Sequence, residues 1–109
     1  MATIEDFLQL DIRVGEVLRA EPFPKAKKPA YQLWVDFGGE IGVLTSSAQI
    51  TEQYEPEALV GKQVLGVVNF PPRQVANFMS QALILGACTE DGVILIRPET
   101  PVPNGTEIH

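Results

Sequence analysis

Cysteine and histidine are almost absent from this sequence. Its 109 residues include one cysteine, Cys88, and one histidine, His109. A single cysteine excludes a disulfide within the chain and a zinc site built from several cysteines. A single histidine, at the last position, leaves little basis for histidine-based acid–base catalysis or metal binding. These shortages argue against an enzyme and a cofactor, and they favour a small binding protein.

Long apolar runs are also missing. The longest is the seven-residue run Ala82–Cys88, whereas a membrane-spanning helix needs about 20 apolar residues. The first ten residues include Glu5 and Asp6 and lack the basic start and apolar centre of a secretory signal. We therefore expect no membrane insertion. Together with the single unpaired cysteine, this pattern predicts a cytoplasmic protein.

Basic residues are in the minority. The chain has 8 lysines and arginines against 14 aspartates and glutamates, a net charge of −6, whereas nucleic-acid-binding domains are normally basic. The charge is unevenly distributed, because residues 13–28 carry a local +3 and residues 40–57 a local −4. The acidic total argues against general nucleic-acid binding. The lysines at 25, 27 and 28 alone are typical of a solvated loop.

Hydrophobic residues recur mostly at every second position, the pattern of half-buried β-strands. The predicted strands cover residues 11–19, 31–37, 41–45, 62–70, 82–88 and 93–97. A short helix is predicted over residues 3–10, capped by Thr3, and further helical turns are predicted within residues 46–61. Gly15 predicts a bulge or sharp bend in the first strand. Cys88 ends an apolar strand and is expected to pack in the core.

This order of elements predicts a single small barrel over residues 1–109. The fold class is all-β: a five-stranded Greek-key OB-fold barrel, with a short N-terminal helix and a short helical insert between strands 3 and 4. A parallel α/β sheet would need several helices of ten or more residues between the strands. The gaps between the predicted strands are too short to provide them.

An apolar segment lies between two of the predicted strands, at residues 70–81. Twelve residues are long for a hairpin loop, and long loops on a rigid barrel commonly carry function. The side chains of interest there are Phe70, Arg73, Phe78 and Met79. Phenylalanine and methionine together form an adaptable apolar surface, although the two phenylalanines could instead close an end of the barrel. Trp34 faces away from Leu33 and Val35, which predicts either a dimer contact or a stacking platform.

Six segments carry a resemblance that covers nearly the whole chain. They are residues 11–17 (Asp-Ile-Arg-Val-Gly-Glu-Val), 23–26 followed by 31–37, 46–51 (Ser-Ser-Ala-Gln-Ile-Thr), 54–57 with 59–62, 67–73 (Val-Val-Asn-Phe-Pro-Pro-Arg) and 101–106 (Pro-Val-Pro-Asn-Gly-Thr). In this order they resemble the tRNA-binding domain family, and most closely its CsaA-type export chaperone branch. The resemblance implies an OB-fold, an obligate homodimer and no catalytic activity.

Two kinds of partner follow from the resemblance. Members of the CsaA branch are expected to hold unfolded preproteins and to assist the Sec export pathway, including its translocation ATPase. Relatives appended to methionyl-tRNA synthetases bind tRNA by shape. The positions that correspond to the family's tRNA-binding residues are Lys25, Lys27, Lys28, Ser46, Ser47, Asn69, Arg73 and Ser80.

The sequence departs from the family pattern in the segment after Arg73. Gln74, Asn77 and Met79 stand where the family usually has a basic or bulky residue, a glycine and a charged residue. Because phosphate neutralisation dominates affinity for nucleic acids, these changes weaken the tRNA prediction and favour polypeptide binding. The polypeptide contacts predicted on this basis are Trp34, Phe70, Phe78 and Met79.

Both ends of the sequence carry apolar residues that a barrel of this size would struggle to cover. In the first helix these are Ile4, Phe7 and Leu8, and in the proline-rich tail they include Val102 and Pro103. Exchange of such elements across a two-fold axis would bury both sets in a homodimer. Alternatively, each end packs on its own barrel.

Overall fold

The computed structural model describes all residues from 1 to 109, which form nine strands, two short helices and the loops that connect them. The helices are α1 (Ile4–Leu8) and α2 (Pro56–Leu59). The strands are β1 (Ile12–Pro22), β2 (Tyr31–Asp36), β3 (Val43–Ala48), β4 (Gln63–Val67), β5 (Arg73–Val75), β6 (Phe78–Ser80), β7 (Leu83–Ile84), β8 (Gly86–Thr89) and β9 (Gly92–Leu95). Neither helix has the length or the apolar character to cross a membrane.

Helix α1 begins where the sequence predicts it. The Asp6 N–H donates to Thr3 Oγ1 at 3.3 Å, and the Thr3 N–H donates to Asp6 Oδ2 at 2.9 Å. This reciprocal pair is a capping box, which satisfies two backbone donors at the helix start. The helix ends at Leu8, two residues earlier than predicted.

The main sheet is antiparallel, with the strand order β3-β2-β1-β4-β7. Its two edge strands approach each other, and the Ala82 N–H, just before β7, donates to the Thr45 carbonyl of β3 at 3.0 Å. The sheet is therefore a nearly closed five-stranded barrel, and α2 lies between β3 and β4. The prediction of an all-β OB-fold is confirmed.

Phe37 lies at the centre of the core, and its ring leaves room only for glycine at two neighbouring positions. Its side chain is 1% exposed. A Cβ atom placed on Gly15 or on Gly66 would come within 2.8 Å of the Phe37 ring, so the ring occupies the space that a side chain would need at either position. The bulge predicted at Gly15 instead falls later in β1, where the register with β2 shifts between Val17 and Arg19.

Tyr31 connects the core to the segment before α2. Its hydroxyl donates to the Tyr54 carbonyl at 2.7 Å, and the Tyr54 hydroxyl accepts the Leu95 N–H at 3.0 Å. Burial raises the pKa of Tyr31, and the nearby Glu55 and Glu57 raise it further. The raised pKa extends to higher pH the range in which the phenol stays protonated and donates this hydrogen bond.

Three predicted elements differ from the observed ones. The third strand covers residues 43–48 rather than 41–45, so Ser46 lies in a strand and not in a helical turn. The predicted loop 70–81 contains a small hairpin, because β5 pairs with β6. The predicted strand 82–88 is divided, since β7 pairs with β4 whereas β8 pairs only with β9.

The prediction that Cys88 packs in the core is wrong. The residue is exposed, because it belongs to the separate two-stranded sheet of β8 and β9 rather than to the barrel. In that sheet it lies opposite Val93.

The tail packs along β1 of its own barrel. The Gly105 N–H donates to the Val14 carbonyl at 2.7 Å, and the Ile108 N–H donates to the Ile12 carbonyl at 2.9 Å. Glu107 pairs with Arg13 in an antiparallel bridge. Of the predicted interface residues, Ile4, Leu8 and Pro103 are exposed, whereas Phe7 and Val102 are half-buried. Their role in a dimer stays a prediction.

Candidate functional site

The outer face of β2 and β3 carries the polar and aromatic side chains of the candidate site. Trp34 lies opposite Thr45, and Gln32 lies opposite Ser47. These residues alternate with core residues of the same strands, so they point away from the core. Two segments flank this face: the lysine-containing loop 23–30 between β1 and β2, and the β5–β6 hairpin between β4 and β7. OB-folds commonly bind their ligands with this face and these two connections.

An aromatic stack joins the loop, the hairpin and the sheet. The Phe78 ring lies 5.5 Å from that of Phe23 and 5.6 Å from that of Trp34, edge to face in both pairs. On Trp34, the Arg19 guanidinium carbon lies 4.3 Å from the ring centroid, and Arg19 also forms an ion pair with Glu21. Phe78 is therefore half-buried within the protein. Its predicted contact with a polypeptide stays a prediction.

Hydrogen bonds fasten the β5–β6 hairpin to the edge of β3. The Thr45 hydroxyl donates to the Met79 carbonyl at 2.6 Å, and the Thr45 N–H donates to Gln81 Oε1 at 3.0 Å. The Ser47 N–H donates to Ser80 Oγ at 2.9 Å. This line of contacts, which we call the seam, closes the barrel largely through side chains. It brings together Ser47 and Ser80, two residues predicted from separate segments.

A surface groove of about 310 Å³ opens beside the seam. Its walls include Ser47, Phe70, Arg73, Ser80 and Leu83. Phe70 is 43% exposed, and Met79, on the neighbouring strand β6, is 45% exposed. No aspartate or glutamate lines the groove. The groove thus combines exposed apolar surface with one cation and two hydroxyl groups.

The predicted basic residues all carry unpaired charge. Lys25, Lys27, Lys28 and Arg73 are exposed. None of them belongs to the four ion pairs of the chain, which join Arg13 to Asp11 and Glu107, Arg19 to Glu21, and His109 to Glu107. Their positive charges are therefore free to attract an anionic partner.

The assignment of Ser46 to the binding surface is corrected by its position in β3. Ser46 is only 1% exposed, because it lies opposite the buried Leu33 and faces the core. Its neighbour Ser47 faces the other way and reaches the groove. The small polar pair predicted from the sequence thus divides between the core and the site.

Asn69 has a different set of neighbours from the other predicted tRNA-binding residues. Its side-chain amide donates to the Gln9 carbonyl at 2.9 Å, and its side-chain oxygen accepts the Asp11 N–H at 2.9 Å. Asn69 therefore connects the end of β4 to the segment between α1 and β1. It does not line the groove that holds Arg73.

Sequence reasoning did not assign Arg19 to the site. Arg19 follows the bulge in β1 and lies opposite Trp34 in the register of β1 and β2. Its stacking on Trp34 places it on the outer face. The alternation in the sequence could not reveal this, because the bulge changes which residues of β1 face outward. No group of three or more histidine, cysteine, aspartate or glutamate residues is arranged to hold a metal ion.

Comparison with known sequences identifies the domain. The family model described as "Putative tRNA binding domain" matches residues 12–107. The methionine–tRNA ligase of Porphyromonas gingivalis is 43% identical over 105 residues, which is 95% of this chain and 15% of the ligase. The chain thus spans about one seventh of the length of such ligases.

Solved structures include neighbours that match the chain from end to end. The CsaA chaperone of Bacillus anthracis is 51% identical, with a TM-score of 0.93 and coverage of 100% of this chain and 99% of that one. The CsaA chaperone of Picrophilus torridus is 48% identical, with a TM-score of 0.95 and full coverage of both chains. This chain belongs to the tRNA-binding domain family, and it is similar along its whole length to CsaA chaperones.

Proposed function

We propose that this chain is a non-catalytic chaperone that binds unfolded or export-bound polypeptides. The observation that carries the proposal is the groove beside the seam, where the exposed apolar side chain of Phe70 lies with the unpaired cation Arg73. Met79 adds exposed apolar surface on the other face of the β5–β6 hairpin. The end-to-end similarity to CsaA chaperones supports it. The domain, residues 1–109, acts in the cytoplasm on preproteins of the Sec pathway, with the Sec translocation ATPase as a further partner.

The chemistry of this face suits clients of varied sequence. An unfolded chain exposes apolar side chains, and burial of one such side chain contributes about 1.5–3 kcal/mol when it is complete. The flexible side chain of Met79 can adapt to different client shapes. The free cations add attraction for acidic client segments without demanding a fixed geometry. Weak and adaptable contacts of this kind allow the client to be released.

A homodimer would present two such faces. We propose that Ile4, Phe7, Leu8, Val102 and Pro103 form the dimer interface. The exposure of Ile4 and Leu8 supports this, since both are apolar and lie on a short helix without a buried face. Two linked faces would bind one long client more tightly than either face alone, because the second contact becomes intramolecular.

The double substitution Phe70→Ser and Met79→Ser is expected to weaken client binding by roughly tenfold, equivalent to about 1.4 kcal/mol. Both side chains are about half-exposed, so only their outer atoms are available for a client, and the loss is smaller than for two complete burials. The measurement is suppression of aggregation of an unfolding model protein, together with the affinity for a permanently unfolded, labelled client.

A matched control is Val60→Ser, which removes an exposed apolar side chain just after α2. It should leave client binding unchanged, and size-exclusion chromatography should show the same oligomeric state for all variants. Client binding that is equal in the double variant and the control would overturn the assignment of the polypeptide surface.

The second candidate function is tRNA binding through the same face. It is favoured by the four free cations and by the family model, which is named for tRNA binding. The residues proposed for this contact are Lys25, Lys27, Lys28, Ser47, Arg73 and Ser80, because the Asn69 side chain is hydrogen-bonded to Gln9 and Asp11 instead. The net charge of −6 opposes it, because any contact with phosphates must then be confined to this face.

A titration with bulk tRNA at two salt concentrations distinguishes the two functions. If polypeptides are the ligands, we expect weak tRNA binding that changes little in the double variant Lys27→Ala and Lys28→Ala. If tRNA is the ligand, binding will be in the micromolar range or tighter and will depend steeply on salt. In the double variant, the slope of log affinity against log salt concentration will then fall by about one for each lost phosphate contact. That second result would place tRNA first and overturn the polypeptide proposal.

A further inference from the structure

We infer that the groove beside the seam binds a carboxylate group that adjoins an apolar side chain. An unfolded polypeptide presents this combination at an apolar C-terminus or at an acidic residue next to a hydrophobic one. The inference rests on the proposed polypeptide function and specifies which part of a client the groove takes.

Charge is the first argument. The chain contains 14 acidic residues, and cavities elsewhere on its surface include them: Asp11 and Glu107 line one, Glu16 and Glu99 a second, and Glu52 and Glu90 a third. The groove beside the seam has Arg73 and no acidic residue. A fourth cavity, which Lys62 and Arg97 line, also has none, but it is not formed by the outer face of β2 and β3 or by its flanking segments. On an acidic protein, such a groove attracts an anion where most of the surface repels it.

The hydrogen-bond donors in the groove have compatible positions. Arg73 and Ser80 lie directly opposite each other in the β5–β6 hairpin, so their side chains share a face. Ser80 Oγ accepts the Ser47 N–H, which directs its hydroxyl proton to another acceptor. Arg73 has no carboxylate partner within the protein. A carboxylate can therefore accept from the guanidinium, which binds it with two parallel hydrogen bonds, and from the serine hydroxyl.

The walls and size of the groove suit a polypeptide group. Phe70 and Leu83 expose apolar surface in it, and a client's hydrocarbon side chain would cover both, whereas a nucleobase would stack on Phe70 alone. The volume of about 310 Å³ lies at the lower end of the range for small-molecule sites. It suits one side chain with its adjoining carboxylate.

The test uses three versions of one short unstructured peptide that ends in leucine. The first has a free C-terminal carboxylate, the second is amidated, and the third is amidated with a glutamate before the leucine. We expect the amidated peptide to bind roughly fivefold more weakly than the free one, as calorimetry or fluorescence anisotropy would show. Recovery of affinity in the third peptide would identify any carboxylate beside an apolar group as sufficient, and failure to recover would restrict the site to the chain terminus.

Arg73→Gln is expected to remove the difference between the free and amidated peptides. Arg97→Gln is the matched control, because Arg97 is exposed, has no ion pair and lies outside the groove, so the fivefold ratio should persist. Equal binding of free and amidated peptides to the unmodified protein would overturn the inference, as would loss of the ratio in both variants.

Two further outcomes separate this inference from the proposed function. If the peptides bind without any preference for a carboxylate while unfolded clients are still held, the carboxylate site is wrong and the chaperone function stands. If neither peptides nor unfolded clients bind, both fail. If Arg73→Gln weakens binding of a short single-stranded oligonucleotide but of none of the peptides, the groove belongs to nucleic acid.

Discussion

Replacement of Phe37 by alanine is expected to lower the free energy of unfolding by about 3–5 kcal/mol, the usual cost of removing a buried phenylalanine. The loss should lie in the upper part of this range, because the ring contacts Gly15 and Gly66 from two strands. Glycines have no side chains that could move into the space left by the ring. A small domain has a total stability of about 5–15 kcal/mol, so this single change would remove a large share of it.

Urea denaturation followed by fluorescence measures the effect, since Trp34 is the only tryptophan. The control is Phe70→Ala, which removes the same ring from a position that is 43% exposed. Its cost should be smaller, about 1–2 kcal/mol, because nearly half of that side chain stays in contact with water in the folded state. Similar costs for the two variants would contradict the position of Phe37 at the core centre.

Phe78→Ala is expected to separate the β5–β6 hairpin from the outer face of the sheet. The ring makes edge-to-face contacts with Phe23 and Trp34, and such pairs contribute about 0.5–1.5 kcal/mol each beyond the burial of their area. We expect a loss of about 2–3 kcal/mol in the free energy of unfolding, from the two ring contacts together with the burial that is lost. We also expect a red shift of the Trp34 emission, because the indole would become more exposed to water.

Binding should weaken in the same variant. Without the Phe78 ring, the hairpin that carries Arg73 and the loop that begins at Phe23 are no longer held together. Binding of a partner must then order both segments, and the entropy cost lowers the affinity. Phe78→Leu, which keeps an apolar contact, should restore most of the stability and emission. Met79→Ala should leave the emission unchanged, because Met79 follows Phe78 in β6 and its side chain points to the opposite face of the hairpin. An unshifted emission in Phe78→Ala would show that the stack is absent in solution.

The sequence predicts the barrel well where alternation is long. Tyr31, Leu33 and Val35 alternate with outward-facing residues over a complete strand, and the core follows that pattern. The cap at Thr3 is equally predictable, because the capping box depends only on neighbouring residues. Local patterns of this kind are sufficient to locate the strands and the first helix, but they do not fix the ends of the strands.

Failures occur where pairing with distant residues decides the structure. The run 82–88 looks like one strand, yet β7 and β8 pair with different partners, and Cys88 lies outside the barrel as a result. Strands β5 and β6 have three residues each, which is too short for an alternation to be recognised. Their pairing depends on the contacts that the hairpin makes with β3, which the sequence alone does not show.

In the candidate site, too, local sequence patterns are informative and pairing between distant strands is not predicted. The resemblance to the family indicates Ser46 and Ser47 together, but only the register of β3 with β2 shows that Ser46 is buried. Arg19 is missed for the related reason that a bulge changes the outward-facing residues of β1. Residue types therefore identify the region of the site, and strand register decides which of them reach it.

The seam has a consequence for how the barrel opens. Strands β1 and β2 pair at six positions, whereas β4 and β7 pair at only two. The β5–β6 hairpin, which lies between β4 and β7, is held to β3 mainly by hydrogen bonds of Thr45 and Ser47. Segments with few and partly exposed hydrogen bonds unfold locally at the lowest free-energy cost. We therefore expect residues 70–84 to separate from the rest of the barrel at a lower free-energy cost than β1 and β2 do. A ligand in the groove would contact both sides of the seam, so its binding free energy would also oppose this local unfolding.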